Sequence, residues 1–164
     1  MKNESGQSLI EILLSLATMV VIITAITFAV ISSLKNTEFG KDQNLATSYA
    51  QQGLELVRNM RNNDYATFSS LSGYYCLAKT CTTLSPNAGD PCGIIGALGC
   101  GQNVDNYVRQ VSVEQFSSTC NSTGSRVETT VSWTDSACNK APSVFCHNVT
   151  LVSCLTNINP VQKP

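Results

Sequence analysis

Glu11 stands one position before Ile12 to Leu34, a run of 23 residues with no charge, no glycine and no proline. A carboxylate at the centre of a membrane helix costs roughly 2.5–3.5 kcal/mol on insertion scales, and less near an end. Its placement marks Glu11 as a functional candidate, and the chemistry open to it is charge pairing. Just upstream lies Gly6, the small residue at which a protease would meet an unhindered backbone. An ordinary secretory signal has a short apolar region followed by its cleavage site. Here the run is too long, and the small residue comes before it.

The second reactive set is cysteine. Cys76, Cys81, Cys92, Cys100, Cys120, Cys138, Cys146 and Cys154 all follow the apolar run. Thiols can oxidise in pairs or bind a soft metal. No pair has CxxC spacing and the only histidine is His147, so the tight paired ligands of a zinc site are missing from the pattern. Disulfides in an oxidising compartment are the expectation, with no metal and no cofactor. The pairing is left open. His147 lies among strand-forming residues without clustered acid or cysteine geometry, which points to a structural or exposed histidine. The glycine-rich stretch Cys92 to Gly101 lacks the lysine of a phosphate-binding loop, and a disulfide-bounded turn is expected there. No GxSxG motif occurs and no paired carboxylates stand out, so an enzyme is not expected. Asn121-Ser122-Thr123 and Asn148-Val149-Thr150 match the glycosylation sequon, a pattern common in Asn- and Thr-rich chains. The net charge of −1 gives no footprint for general binding of nucleic acid or anionic membrane.

The elements that carry these residues follow from periodicity. As a helix, 23 residues reach roughly 35 Å, enough for a hydrocarbon core of ~30 Å. Lys35, Glu38, Lys41 and Asp42 mark the exit. Beyond them Leu45, Tyr49, Leu56 and Met60 recur at spacings near four and seven. With Ala46, Ala50, Leu54 and Val57 they make a broad apolar stripe, the mark of an amphipathic helix. A helix is expected from about Ser8 to Asn62. Gly40 and Gly53 each weaken it by about 1 kcal/mol relative to alanine, so a bend is possible at either.

Gly6-Gln7-Ser8-Leu9-Ile10-Glu11 followed by a long apolar helix resembles the processing motif of type IV prepilins and pseudopilins. The likeness covers roughly the first 60 residues, and minor pilins are the nearest in kind. Ala50 to Arg61 also resembles the second helical half of certain minor pilins and secretion pseudopilins. The resemblance implies cleavage between Gly6 and Gln7 by a membrane-embedded prepilin peptidase, with methylation of the new amine on Gln7. It implies that Glu11 faces the amine of a neighbouring subunit during assembly. It further implies an inner-membrane assembly machinery, lipid around the helix before assembly, and other pilin subunits around it afterwards, in a helical filament. The chain departs from the family in three places, the first being a short leader in which Glu4 stands against Lys2 and thins the positive-inside signal. Gln7 stands where the family usually has phenylalanine. Val20 and Phe28 stand where many major pilins have helix-breaking residues, which favours a continuous helix.

From Asn63 to Asn106 glycines, prolines and cysteines alternate without period, which reads as a long cross-linked loop with little core of its own. Three strands are expected after it: Tyr107 to Phe116, Arg126 to Thr134 and Val144 to Cys154. Short links suggest an antiparallel sheet with one face buried over the helical stripe. The expected fold class is therefore α+β. The expected divisions are a leader over 1–6, a membrane or filament-core helix over 7–34, an amphipathic helix over 35–62, the loop region over 63–106 and the sheet region over 107–164. The expected function is a filament subunit, held in the cytoplasmic membrane by a single span and then moved to a surface pilus or periplasmic pseudopilus. Two alternatives stand beside it. One is a tip-located minor pilin whose Cys76 to Cys100 loop contacts a surface, DNA or a secreted protein. The other is a plain single-pass anchor that never polymerises.

Overall fold

The computed structural model describes residues 5–96, 99–121, 123–135, 138 and 145–157, with side chains from residue 9 onward. One helix, α1 (Ser5–Asn63), carries the apolar run and the stripe. Neither Gly40 nor Gly53 interrupts it, nor do the positions of Val20 and Phe28. The chain divides into two units, Met1–Asp42 and Gln43–Pro164. The first consists, in its described part, of α1 alone as far as Asp42.

The second unit is a four-stranded antiparallel meander against which the later turns of α1 pack. Its strands are β1 (Gly73–Cys76), β2 (Val108–Glu114), β3 (Ser125–Trp133) and β4 (His147–Leu155), in the spatial order β1-β2-β3-β4. Strand β3 shows why: Ser125, Val127, Thr129, Val131 and Trp133 are buried, and the residues between them are not. The register sets Tyr75 opposite Val111, Val111 opposite Thr129, and Thr129 opposite Leu151, so one row of side chains crosses the whole sheet. On the helix the buried positions are Ala46, Ala50, Gly53, Val57 and Met60. The stripe is therefore centred on its small residues. Leu45, expected within it, is 37% exposed, and Tyr49 and Leu56 are only partly buried.

Small residues bring helix and sheet close together, and Gly53 shows how close. A methyl group built on it would lie 2.7 Å from Thr129 Cγ2 and 3.3 Å from Leu77 Cδ2. Both neighbours are fully buried, so neither has room to retreat. The glycine read as a possible bend is a packing contact.

The segment from Asn63 to Asn106 differs most from expectation. It contains a second helix, α2 (Tyr65–Ser70), and the edge strand β1. Asp64 caps α2: its Oδ1 accepts from the Thr67 amide at 3.0 Å. Phe68, Leu71, Tyr75, Leu77 and Leu84 from this segment pack with Val57, Met60, Val111, Val113 and Val127 in the larger of two core clusters. The smaller cluster joins Ala46 and Ala50 to Tyr107, Val131 and Trp133. So the segment owns a large share of the core, against the reading of a loop with little core. Its glycine-rich part lies along β1: Cys76 N donates to Gly93 O at 2.8 Å, and Ile95 N to Tyr74 O at 2.9 Å.

Candidate functional site

Gly6 and Gln7 lie in the first turns of α1, and Glu11 is four residues beyond Gln7, one helical turn along the same face. Glu11 is exposed. The apolar residues on either side of it are exposed as well: Leu9, Ile10, Ile12, Leu13, Leu14 and Leu16 are all between 58% and 69% exposed. This helix alone, among the described residues, is long and apolar enough to cross a membrane, and none of its most apolar window is buried.

Four of the six hydroxyls inside the run are bonded back onto the helix. Ser15 Oγ donates to Ile12 O at 2.9 Å, Thr18 Oγ1 to Ser15 O at 2.9 Å, and Thr27 Oγ1 to Ile23 O at 2.8 Å. Thr24 Oγ1 reaches both Val20 O and Val21 O. A hydroxyl turned onto the preceding turn needs no water. From Ile12 to Val30 the run therefore offers an apolar surface although it contains serine and threonine, which suits lipid or the packed centre of a helical assembly equally.

All eight cysteines are paired. Cys76–Cys100 and Cys81–Cys92 lie one inside the other in sequence, Cys120–Cys154 ties the 3-10 turn Ser118–Cys120 to β4, and Cys138–Cys146 closes the link between β3 and β4. Their Cα–Cα distances, 5.3–5.6 Å, suit the bond. The Cys92 to Gly101 stretch is held at both ends, but Cys92 and Cys100 bond to different partners rather than to each other. Gly93 is required there, because a side chain would meet Asn87 O at 1.9 Å.

Three polar arrangements were not legible as sites from the chain. Arg109 is buried in β2 and has only carbonyls for partners: Nε donates to Leu77 O at 3.0 Å, and the two terminal nitrogens donate to Tyr49 O at 3.2 Å and Ala78 O at 3.1 Å. Burial pulls its pKa below the usual arginine value. It clamps α1 to the turn after β1. The alternation of Arg109, Val111 and Val113 along β2 was the available signal that it faces inward.

On the surface, Tyr49 Oη donates to Asp105 Oδ2 at 2.8 Å and Lys79 Nζ lies 3.3 Å from Asp105 Oδ1. The Tyr49 hydrogen bond, then Lys79, hold the Asp105 carboxyl below its usual range, and the same hydrogen bond pushes the Tyr49 phenol up.

The third arrangement overturns the reading of His147 as free of acid and cysteine neighbours. Its Nε2 lies 3.0 Å from Asp135 Oδ2, beside the Cys138–Cys146 disulfide. Trp133 and His147 are opposed at the ends of β3 and β4, so the strand register brings Asp135 and His147 together. Comparison with family models, with curated proteins and with solved structures finds no match for this chain.

Proposed function

We propose that the chain is a type IV pilin-like structural subunit, of the minor kind, cut after Gly6 and assembled through its apolar helix into a pilus or pseudopilus. One observation carries this reading. Gly6, Gln7 and Glu11 stand in order on the first turns of a helix whose next 23 residues are uncharged, and its most apolar window has no buried residue. Cutting between Gly6 and Gln7 creates an amine at the positive end of the helix dipole. A carboxylate one turn away complements that end, by about 0.3–1 kcal/mol where exposed. In the assembled filament Glu11 meets the Gln7 amine of a neighbour, which offsets the burial of both charges and sets the axial register. The same apolar surface faces lipid in the inner membrane beforehand. Prepilin peptidase, the assembly machinery and the other subunits are its partners. Methylation of Gln7 follows the same enzyme.

Mass spectrometry of the mature chain tests the assignment. A polypeptide starting at Gln7 is expected, with the added mass of a methyl group if the amine is modified. A chain isolated from its host still starting at Met1 would leave a plain anchored domain.

A second reading has its own support. The nested Cys76–Cys100 and Cys81–Cys92 bonds cross-link a loop whose Pro86, Asn87, Ala88 and Gly89 are exposed. A tip-located subunit would present such a loop to a surface, DNA or a secreted protein. Immunolabelling at the filament end alone, rather than along the shaft, favours the tip.

A further inference from the structure

The link between β3 and β4 brings four potential metal ligands together. Asp135 lies just beyond β3, Cys146 and His147 stand at the start of β4, and Cys138 lies between. One donor atom from each lies within 4.8 Å of every other. The Asp135 carboxylate is fixed by its own turn: Oδ1 accepts from the Cys138 amide at 3.1 Å, and the Asp135 amide reaches Cys138 Sγ at 3.3 Å. Its Oδ2 lies 3.0 Å from His147 Nε2. Trp133 covers one side of the imidazole, with ring centroids 5.4 Å apart. Both Asp135 and His147 keep part of their side chains open to solvent.

Two sulfurs, an imidazole nitrogen and a carboxylate oxygen are the donor set of a tetrahedral zinc site. Bonds of ~2.0–2.3 Å place tetrahedral donors roughly 3.3–3.8 Å apart. Once the disulfide is reduced, the two sulfurs must part from bonding distance to roughly 3.8 Å. The carboxylate and imidazole, now 3.0 Å apart, must open slightly. The other pairs, within 4.8 Å, must close by at most about 1 Å, and all these shifts are within reach of side-chain rotation. A disulfide sulfur is not a thiolate, so the bond and the metal exclude one another. We propose that Asp135, Cys138, Cys146 and His147 form a redox-gated site for Zn2+, filled when the two cysteines are thiols and emptied when they oxidise. A dithiol opens the bond: it gives two electrons and two protons to Cys138 and Cys146 and becomes a disulfide itself. Zn2+ then displaces the two thiol protons to solvent. Oxidation by a disulfide donor reverses both steps, returning the two electrons to that donor and releasing the ion. The metal holds the β3–β4 link in the same closed arrangement before the covalent bond forms.

The test uses the full chain in detergent with Co2+ as probe, after mild dithiol treatment, with alkylation and mass spectrometry reporting which cysteines are free. One Co2+ per chain is expected, with tetrahedral visible bands and near-ultraviolet thiolate charge transfer, displaced by one equivalent of Zn2+. The oxidised chain should lack that charge-transfer band. Cys138→Ser/Cys146→Ser, treated identically, should also lack it, although its remaining cysteines experience the same reductant. His147→Ala and Asp135→Ala should each weaken Zn2+ at least tenfold. A band that persists in the double serine variant places the metal on other thiols and overturns the proposal. So does an unchanged affinity in both His147→Ala and Asp135→Ala, or no band when Cys138 and Cys146 are shown to be free.

Discussion

At the scale of single residues, the tightest constraint is a side chain that is absent. Alanine at position 53 would gain about 1 kcal/mol of helix propensity over glycine. Its methyl group would also press on buried Thr129 and Leu77, and overpacking a filled core costs typically ~1–3 kcal/mol. A 2.7 Å contact between filled positions puts the cost toward the upper end, so Gly53→Ala should lower stability by a net of up to ~2 kcal/mol, whereas Gly40→Ala, with nothing within 4 Å, should raise it slightly. The Asp105 carboxylate has the opposite character, since its role depends on charge. Its pKa is lowered by the Tyr49 hydroxyl and by Lys79. The stability it contributes is whole above the ordinary carboxylate value of ~3.9 and is lost as pH falls through the lowered one. Asp105→Asn should therefore flatten the acid arm of unfolding midpoint against pH below about pH 4. Equal slopes for the two proteins would remove the ion-paired role. Gly53 was visible in the chain only as a helix weakener, because its true constraint comes from a strand more than 70 positions away.

At the scale of elements, most of the fold could be read from periodicity. The three later strands begin and end close to the alternating runs, because one buried face imposes a period of two on each. Strand β1 could not be read, since Gly73–Cys76 has only four residues and too few alternations to register. The short helix α2 was hidden likewise; it depends on the Asp64 cap and on Phe68 reaching the core. The disulfides explain how so irregular a segment holds its core. In the chain-entropy picture a cross-link restricts the unfolded chain more as the loop it closes lengthens. Cys120–Cys154 spans 34 positions and Cys138–Cys146 spans 8. Replacing each pair by serine should cost about 4 kcal/mol for the first and about 2.5 kcal/mol for the second. Urea midpoints of the two double variants check the order. A larger loss at Cys138–Cys146 would mean that the β3–β4 link carries native contacts beyond the constraint on the unfolded chain.

At the scale of the whole molecule, the first unit and the second are stabilised by different surroundings. The second unit buries its own core, while the apolar window of α1 has nothing buried among the described residues. That window needs lipid or neighbouring helices, a requirement plain from 23 uncharged residues in a row and independent of every contact downstream. Glu11 distinguishes the two surroundings. For a helix that only sits in a bilayer, Glu11→Val removes a charge near one end, so insertion and retention should be equal or better. For a helix that also packs beside the Gln7 amine of a neighbour, the same change leaves that amine buried without its carboxylate. Hydrogen bonds to charged groups contribute ~1.5–3 kcal/mol, and losing one shifts an association equilibrium roughly tenfold or more at each contact. Under the proposed function, the variant should therefore fractionate with the membrane and be cut after Gly6, yet be depleted at least tenfold from sheared filaments. Quantitative immunoblotting of membrane and filament fractions reads both arms together. Filament incorporation at the parental level, with membrane insertion intact, would reduce Glu11 to a headgroup contact and remove assembly pairing from its role.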